Sequence, residues 1–187
     1  GKGAMMGVLI KNAEALEIME KVDTLVVDKT GTLTEGKPKL VAVIAVEGMD
    51  EKKALKLAAT LEKASEHPLA AAIVRGAEEK DIPLGKTENF QSVTGKGVTG
   101  EVDGHKVVLG NLKLFESLGI DPGVLPQRAD AGRAEGQTDM LLAIDGKAAA
   151  LIGVADPIKT TTPEAIKNLH AAGVKVVMLT GDSKKTA

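Results

Sequence analysis

The chain has 187 residues, of which 43% are hydrophobic and 27% charged, and its formal net charge is −2. This composition suits one or two globular domains, and the small negative charge offers no basic field for nucleic acid. Only Phe90 and Phe115 are aromatic, which disfavours the stacking of nucleic-acid bases. Without cysteine, neither a disulfide framework nor a thiolate metal site is expected. No apolar run approaches the roughly 18 residues that cross a bilayer, so we expect no membrane span in this chain.

The first predicted elements are a short helix over residues 11–20 and an apolar strand over residues 22–27. The strand ends on the carboxylate of Asp28, and a tight polar loop, Lys29-Thr30-Gly31-Thr32, follows it. Because ligands of open α/β sheets bind beyond the carboxyl ends of the strands, Asp28 is expected to face a crevice. A carboxylate in that place can attack a phosphoryl group and carry it as an aspartyl-phosphate. The alternative is that Asp28 only caps a turn.

The middle of the chain has a different pattern. After the break at Gly36-Lys37-Pro38, Asp50 is predicted to cap a helix through about Glu66, and Pro68 to open a second helix. Short alternating strands follow, with Asp-Gly turns at 103–104 and 145–146 that are typical of two-residue hairpins. This pattern predicts an antiparallel sheet flanked by helices.

A second apolar strand, residues 174–179, ends in the polar turn Thr180-Gly181-Asp182. Together with the strand at 22–27 it is predicted to form one buried parallel sheet. The predicted fold class is therefore α/β, with an antiparallel sheet and its helices inserted into a parallel α/β domain.

Three segments of the inserted region are candidates for ligand binding. Residues 95–100 match the expression GxGxxG, but strands surround them and no helix follows, which argues against a dinucleotide fold and leaves a glycine loop or a plain hairpin. In Ser65-Glu66-His67-Pro68, His67 either caps a helix or offers one hydrogen bond to a groove that Glu62 also reaches. Gly110-Asn111 follows a strand, where Asn111 is a candidate N-cap for a helix over 112–118.

The run Asp28-Lys29-Thr30-Gly31-Thr32-Leu33-Thr34 resembles the phosphorylation motif of the P-type ATPases, which are ATP-driven ion pumps. The SEHP segment, the Gly-Lys-Gly loop and the strand-end Gly-Asn resemble the nucleotide-binding domain of the heavy-metal branch. Residues 8–17 are similar to the segment that leads out of the membrane helices of bacterial copper pumps. The resemblance covers nearly all of the chain and implies ATP and Mg²⁺ as cofactors. It also implies a cytosolic part of a bacterial inner-membrane protein whose partners are the pump's own actuator and membrane domains. We expect the chain alone to be a monomer.

The resemblance implies a role for each matching residue. Asp28 is the nucleophile in a catalytic loop with Lys29 and Thr30, and the Thr30 backbone carbonyl joins Asp28 in holding Mg²⁺. On the second strand, Thr180 and Gly181 bind phosphate and Asp182 supports the site. The nucleotide is expected to contact Glu62, His67, Gly95, Gly97, Gly110 and Asn111. Asp156-Pro157-Ile158-Lys159 is similar to the family's returning hinge, in which Lys159 is expected to be structural.

The resemblance also implies a haloacid-dehalogenase-like phosphorylation domain. The expected divisions are a lead-in at 1–20, the first part of that domain at 21–36, the nucleotide-binding domain at 37–154 and the second part at 155–187. Since the chain stops before the family's Gly-Asp-Gly-x-Asn-Asp segment, it is expected to bind ATP without turning it over. Its phosphorylation part is expected to be the less stable one.

Three functions compete at this point. The leading one is the ATP-binding and phosphorylation region of a heavy-metal export pump, with copper as the expected ion. The second is a haloacid-dehalogenase-type phosphatase, which normally has an acidic Asp two positions after the nucleophile, where Thr30 stands here. The third is a nucleotide-binding module without catalysis.

Overall fold

The computed structural model describes residues 12–133 and 137–179 of the protein. Its helices are α1 (Ala13–Met19), α2 (Glu51–Glu62), α3 (Pro68–Glu78), α4 (Leu112–Ser117), α5 (Leu125–Arg133) and α6 (Thr162–Ala171). Its strands are β1 (Thr24–Asp28), β2 (Lys39–Ala45), β3 (Thr87–Val93), β4 (Gly97–Val102), β5 (His105–Gly110), β6 (Thr138–Ile144), β7 (Lys147–Ala155) and β8 (Lys175–Leu179). Residues 1–11 of the predicted lead-in at 1–20, and the turn Thr180-Gly181-Asp182, lie outside the described residues.

Strands β1 and β8 pair in parallel, from Thr24 opposite Lys175 to Asp28 opposite Leu179. The predicted parallel pairing is therefore confirmed. The prediction that both strands are buried was wrong for the described residues, because Val26 is 55% and Leu179 60% exposed. Within the described ranges this layer contains two strands, on which α6 packs, and that is too little structure to cover both faces.

The other sheet has six antiparallel strands in the order β2-β7-β6-β5-β4-β3. Two of its hairpins turn at Asp103-Gly104 and Asp145-Gly146, where the aspartates have φ of 51° and the glycines 78° and 77°. Both central residues of each turn thus have positive φ, which matches a type I′ turn. The predicted hairpins and the predicted α/β fold class are confirmed.

Helices cover both faces of this sheet. On one face α2 and α3 bury aliphatic side chains such as Leu55, Leu61 and Ile73 against the strands. On the other face Phe115 from α4 and Leu125 from α5 pack in a second apolar cluster. The sheet is therefore the middle layer of three, as the apolar stripes of the helices require.

Helix α2 is shorter than predicted: it ends at Glu62 rather than near Glu66. Pro68 disfavours helical backbone in the residue before it. His67 accordingly adopts an extended conformation, with φ of −70° and ψ of 139°, and becomes the N-cap of α3. The intervening residues 63–67 form a loop that leads into the candidate site described below.

Within the described ranges, none of the helices is both long and apolar enough to span a bilayer.

Candidate functional site

A cavity of about 320 Å³ lies at one end of the antiparallel sheet. The α2–α3 loop, the turn between β3 and β4, the end of β5 and the start of β6 form its walls. The structure brings all six residues of the predicted nucleotide site to this cavity, although they come from three separate segments of the chain. The six are Glu62, His67, Gly95, Gly97, Gly110 and Asn111. Its volume is at the lower end of the range for small-molecule sites.

Glu62 supplies a buried carboxylate to the cavity wall. The residue is 5% exposed, and its Oε2 atom has no hydrogen-bond partner among the described residues. Burial raises the pKa of Glu62, and hydrogen bonding to the Ser65 side chain opposes that shift. A buried acceptor without a partner costs free energy, so this oxygen is suited to a donor that arrives with a ligand.

The two ring nitrogens of His67 differ in their surroundings. Its Nδ1 accepts a hydrogen bond of 3.2 Å from the backbone N–H of Leu69, which caps α3. In the neutral ring the proton is then on Nε2, which is left to donate a hydrogen bond. The sequence left open whether His67 caps a helix or offers a hydrogen bond to a groove. Because the ring lies at the cavity, one conformation allows both.

The Gly-Lys-Gly loop is a tight turn between β3 and β4. Gly97 has φ of 144°, and a Cβ there would overlap the Leu109 carbonyl oxygen on β5. A Cβ on Gly110 would likewise overlap the Lys96 carbonyl oxygen. Gly95 has φ of 69° and open space beside it. Gly97 and Gly110 are therefore required by the close approach of β4 and β5, whereas Gly95 leaves backbone accessible to a ligand.

Asn111 uses its side-chain amide within the protein. Its Oδ1 accepts from the backbone N–H of Leu114 at 3.1 Å and so caps α4, while its Nδ2 donates to the Gly95 carbonyl at 2.8 Å. The predicted N-cap is confirmed. The second bond connects the start of α4 to the glycine loop, which sequence reasoning did not predict.

Sequence reasoning also missed the wall that β6 supplies. Thr138, Asp139 and Met140 line the cavity, and the Gln137 side-chain amide donates to the Asp139 carboxylate. No local motif marks these residues, because only the pairing of β6 with β5 brings them beside the glycine loop.

The phosphorylation motif forms a separate loop at the end of β1. Asp28 is exposed at the carboxyl end of the strand, as predicted. Thr30 (φ −74°, ψ 123°) and Gly31 (φ 76°, ψ −14°) have dihedral angles close to those of a type II turn. Such a turn needs positive φ at its third residue, which explains the glycine at position 31.

The chain crosses between the two sheets twice, and hydrogen bonds join the crossings. Thr34, which is 2% exposed, donates to the Asp156 carboxylate at 2.6 Å. The other oxygen of Asp156 accepts from the Lys37 backbone N–H at 3.0 Å. The break points predicted around Gly36 and Asp156 therefore lie side by side in the fold.

The Asp28 carboxylate and the Thr30 carbonyl offer hard oxygen donors in the described loop, which is the donor type that Mg²⁺ prefers. Their role as ligands stays a prediction. Residues 12–133 and 137–179 contain no cluster of three acidic or histidine side chains that could hold a metal. The predicted phosphate-binding residues Thr180, Gly181 and Asp182 fall outside those ranges.

Comparisons with known proteins agree with this geometry. The family model of haloacid dehalogenase-like hydrolases matches residues 22–187. A copper-exporting P-type ATPase of Legionella pneumophila is 58% identical over the whole chain, which covers 25% of that relative. A silver exporting P-type ATPase of Salmonella typhimurium is 49% identical over the whole chain, with 23% of its own length covered.

Among solved structures, the crystal structure of a zinc-transporting PIB-type ATPase in the E2.Pi state superposes with a TM-score of 0.83 at 33% identity, covering 98% of this chain and 30% of the other. The chain thus spans about a quarter of the length of the curated relatives it matches. By family model, sequence and structure, the chain belongs to the haloacid dehalogenase-like hydrolases and is homologous over its full length to the heavy-metal P-type ATPases.

Proposed function

We propose that this chain is the ATP-binding and aspartyl-phosphorylation region of an ATP-driven heavy-metal export pump, with copper as the exported ion. One observation carries the nucleotide part of the proposal: six residues selected from sequence motifs in three segments line one cavity. One of the six, Glu62, has a carboxylate oxygen without a hydrogen-bond partner among the described residues. The names of the relatives, which include a copper-exporting and a silver exporting ATPase, support a heavy-metal ion as cargo.

In this proposal the cavity binds the adenosine end of ATP. The Glu62 carboxylate accepts a hydrogen bond from the exocyclic amine of adenine, and the His67 Nε2–H donates to a ring nitrogen. The backbone at Gly95 lies close to the ligand. None of the described residues that line the cavity is Phe, Tyr or Trp, so binding of the base is expected to be of modest strength.

The inserted domain, residues 37–154, is proposed to deliver ATP to Asp28 by closing about the crossings at Thr34 and Asp156. An Asp28 carboxylate oxygen attacks the γ-phosphorus, the bond from that phosphorus to the bridging oxygen breaks, and ADP leaves with the electron pair. The product is an acyl phosphate on Asp28. The Asp28 carboxylate and the Thr30 carbonyl would hold Mg²⁺, which would neutralise charge on the transferring phosphoryl group.

A phosphatase function has less support. Position 30, two residues after the nucleophile, carries Thr30, whose hydroxyl is a poor general acid or base compared with a carboxyl group. Without such a group, water is not activated to attack the acyl phosphate, and the phosphoenzyme persists. A persistent phosphoenzyme suits a pump, in which other domains trigger hydrolysis.

Titration of the chain with ATP, followed by two-dimensional NMR, tests the nucleotide part. We expect saturable shifts of the backbone signals of Glu62, His67, Gly95 and Asn111, in the presence or absence of Mg²⁺, and no hydrolysis of ATP. Absence of binding, or shifts confined to other residues, would contradict the assignment. Complete loss of binding on removal of Mg²⁺ would contradict our expectation that the nucleotide is held mainly through its adenosine end.

A further inference from the structure

Lys159, which the sequence indicates to be structural, contacts the phosphorylation loop directly. It lies three residues after Asp156, and its Nζ donates a hydrogen bond of 2.7 Å to the backbone carbonyl of Gly31, in the middle of the phosphorylation loop. Its own backbone N–H donates to the Leu33 carbonyl at 3.0 Å. The lysine is half-buried, and its neighbour Ile158 is 63% exposed.

Side chains bind both the N–H and the carbonyl of Gly31. The Gly31 N–H donates to the Thr34 hydroxyl at 3.0 Å, and that hydroxyl in turn donates to Asp156. The Gly31 carbonyl accepts from Lys159. A glycine has no Cβ to restrict its dihedral angles, so these two bonds supply the restriction that the residue lacks.

These two bonds restrain two successive peptides, and the first of them carries the Thr30 carbonyl. In a type II turn the central peptide, here Thr30–Gly31, can rotate by about half a turn to give a type I turn. That rotation would reverse the direction of the Thr30 carbonyl, the proposed Mg²⁺ ligand next to Asp28. The Thr34 bond holds the N–H side of this peptide, and the Lys159 bond holds the peptide that follows it.

We propose that Lys159 is a positioning residue for aspartyl phosphorylation: through the Gly31 carbonyl it keeps the loop in the type II conformation that aims the Thr30 carbonyl at the reaction centre. The inference rests on the proposed function. In this proposal the second crossing between the sheets helps to position the phosphorylation loop, because the same short segment carries Asp156 and Lys159.

The test uses the complete pump and compares Lys159→Met with Lys159→Arg. Misplacement of reacting groups by about an ångström costs on the order of a hundredfold in rate, so we expect Lys159→Met to slow phosphoenzyme formation from ATP by about tenfold to a hundredfold. ATP affinity should be unchanged. Lys159→Arg keeps a charged donor and should recover most of the rate. Lys167→Met is the matched control, since it removes the same charge from an exposed position on α6.

A second measurement needs neither ATP nor Mg²⁺. In the isolated chain, NMR relaxation dispersion should detect exchange at the Gly31 and Thr32 amides in Lys159→Met, and not in wild type or Lys159→Arg. Unchanged Gly31 signals together with a normal phosphorylation rate would overturn the inference. An equal loss in Lys167→Met or a parallel loss of ATP affinity would do the same. So would unfolding of Lys159→Met together with a second neutral variant, Lys159→Gln, because the lysine would then be needed for the fold as a whole. If the wild-type pump forms no phosphoenzyme, the proposed function fails. If the wild-type pump forms the phosphoenzyme and the Lys159 variants do so at the same rate, only the positioning role fails.

Discussion

The side-chain amide of Asn111 donates a 2.8 Å hydrogen bond to the Gly95 carbonyl, so the N-cap of α4 also holds the glycine loop of the cavity. The same amide accepts from Leu114 through its oxygen. With both ends of the amide bound, we expect Asn111 to affect nucleotide binding through the loop that it positions.

Asn111→Ser separates these two functions. Serine is a good N-cap, so the helix is preserved, but its side chain is too short to reach Gly95. We expect a loss of about 1 kcal/mol in the free energy of unfolding, from one hydrogen bond, and weaker binding of ATP. If the role is positional, GTP affinity should fall by the same factor; a change in the adenine-to-guanine preference would instead mean that Asn111 contacts the base. Calorimetric titration of both nucleotides measures this.

Substitutions of His67 can separate its helix-cap function from its proposed contact with the nucleotide. His67→Ala should weaken ATP binding about tenfold, which corresponds to roughly 1.4 kcal/mol, because it removes the Nε2–H donor. It should also destabilise the chain by about 1 kcal/mol, since α3 loses its cap. His67→Asn restores a capping oxygen without restoring the reach of the imidazole.

Thermal unfolding and ATP titration of the two His67 variants decide the point. We expect the asparagine variant to regain stability and to remain weak in ATP binding. Recovery of both properties would show that His67 acts on the site only through the helix cap.

The sequence predicted the local geometry around the cavity well where the signal was local. The SEHP and Gly-Lys-Gly segments specify an N-cap and a tight turn through their own backbone requirements, and each appears in the structure where expected. The contribution of Asp139 was missed because its place beside the loop depends on the register of β6 against β5. Lys159 was interpreted as structural because the bond to Gly31 spans 128 positions in the chain.

The burial of β1 and β8 was also mispredicted from local pattern. An apolar run indicates a buried strand only if other elements cover both faces, and composition does not report how many elements are present. The antiparallel sheet was predicted correctly because its Asp-Gly turns and alternating strands carry their own pairing information.

We expect Glu62 to lower the stability of the folded chain at neutral pH and to strengthen the proposed binding of ATP. Its pKa is raised from 4.5 by burial, so the folded chain holds this proton more tightly than the unfolded chain does. The stability that this proton contributes is complete below the unfolded value of 4.5 and is lost as the pH rises through the folded pKa. Glu62→Gln removes the titration, so the variant should be more stable than wild type at neutral pH, with the difference shrinking towards pH 4.

Denaturant unfolding of both proteins between pH 4 and 8 measures that difference. Glu66→Gln is the matched control, because Glu66 is exposed in the neighbouring loop and should show little change. The Glu62 variant should bind ATP less tightly, since a neutral acceptor replaces a charged one. A variant that is less stable at every pH would mean that the carboxylate has a partner which stabilises its charged form.

Asp28→Asn tests the nucleophile in the complete pump. The amide is a poor nucleophile, so phosphoenzyme formation from labelled ATP should be abolished. Nucleotide affinity should be unchanged or slightly higher, because the substitution removes a negative charge that repels the γ-phosphate. Stability should also change little, since Asp28 is exposed at the strand end and, within the described residues, its side chain caps nothing. Acid-stable, hydroxylamine-sensitive phosphate on the asparagine variant would place the nucleophile elsewhere. Loss of nucleotide binding together with a lowered unfolding temperature would show that Asp28 maintains the fold and does not carry the phosphoryl group.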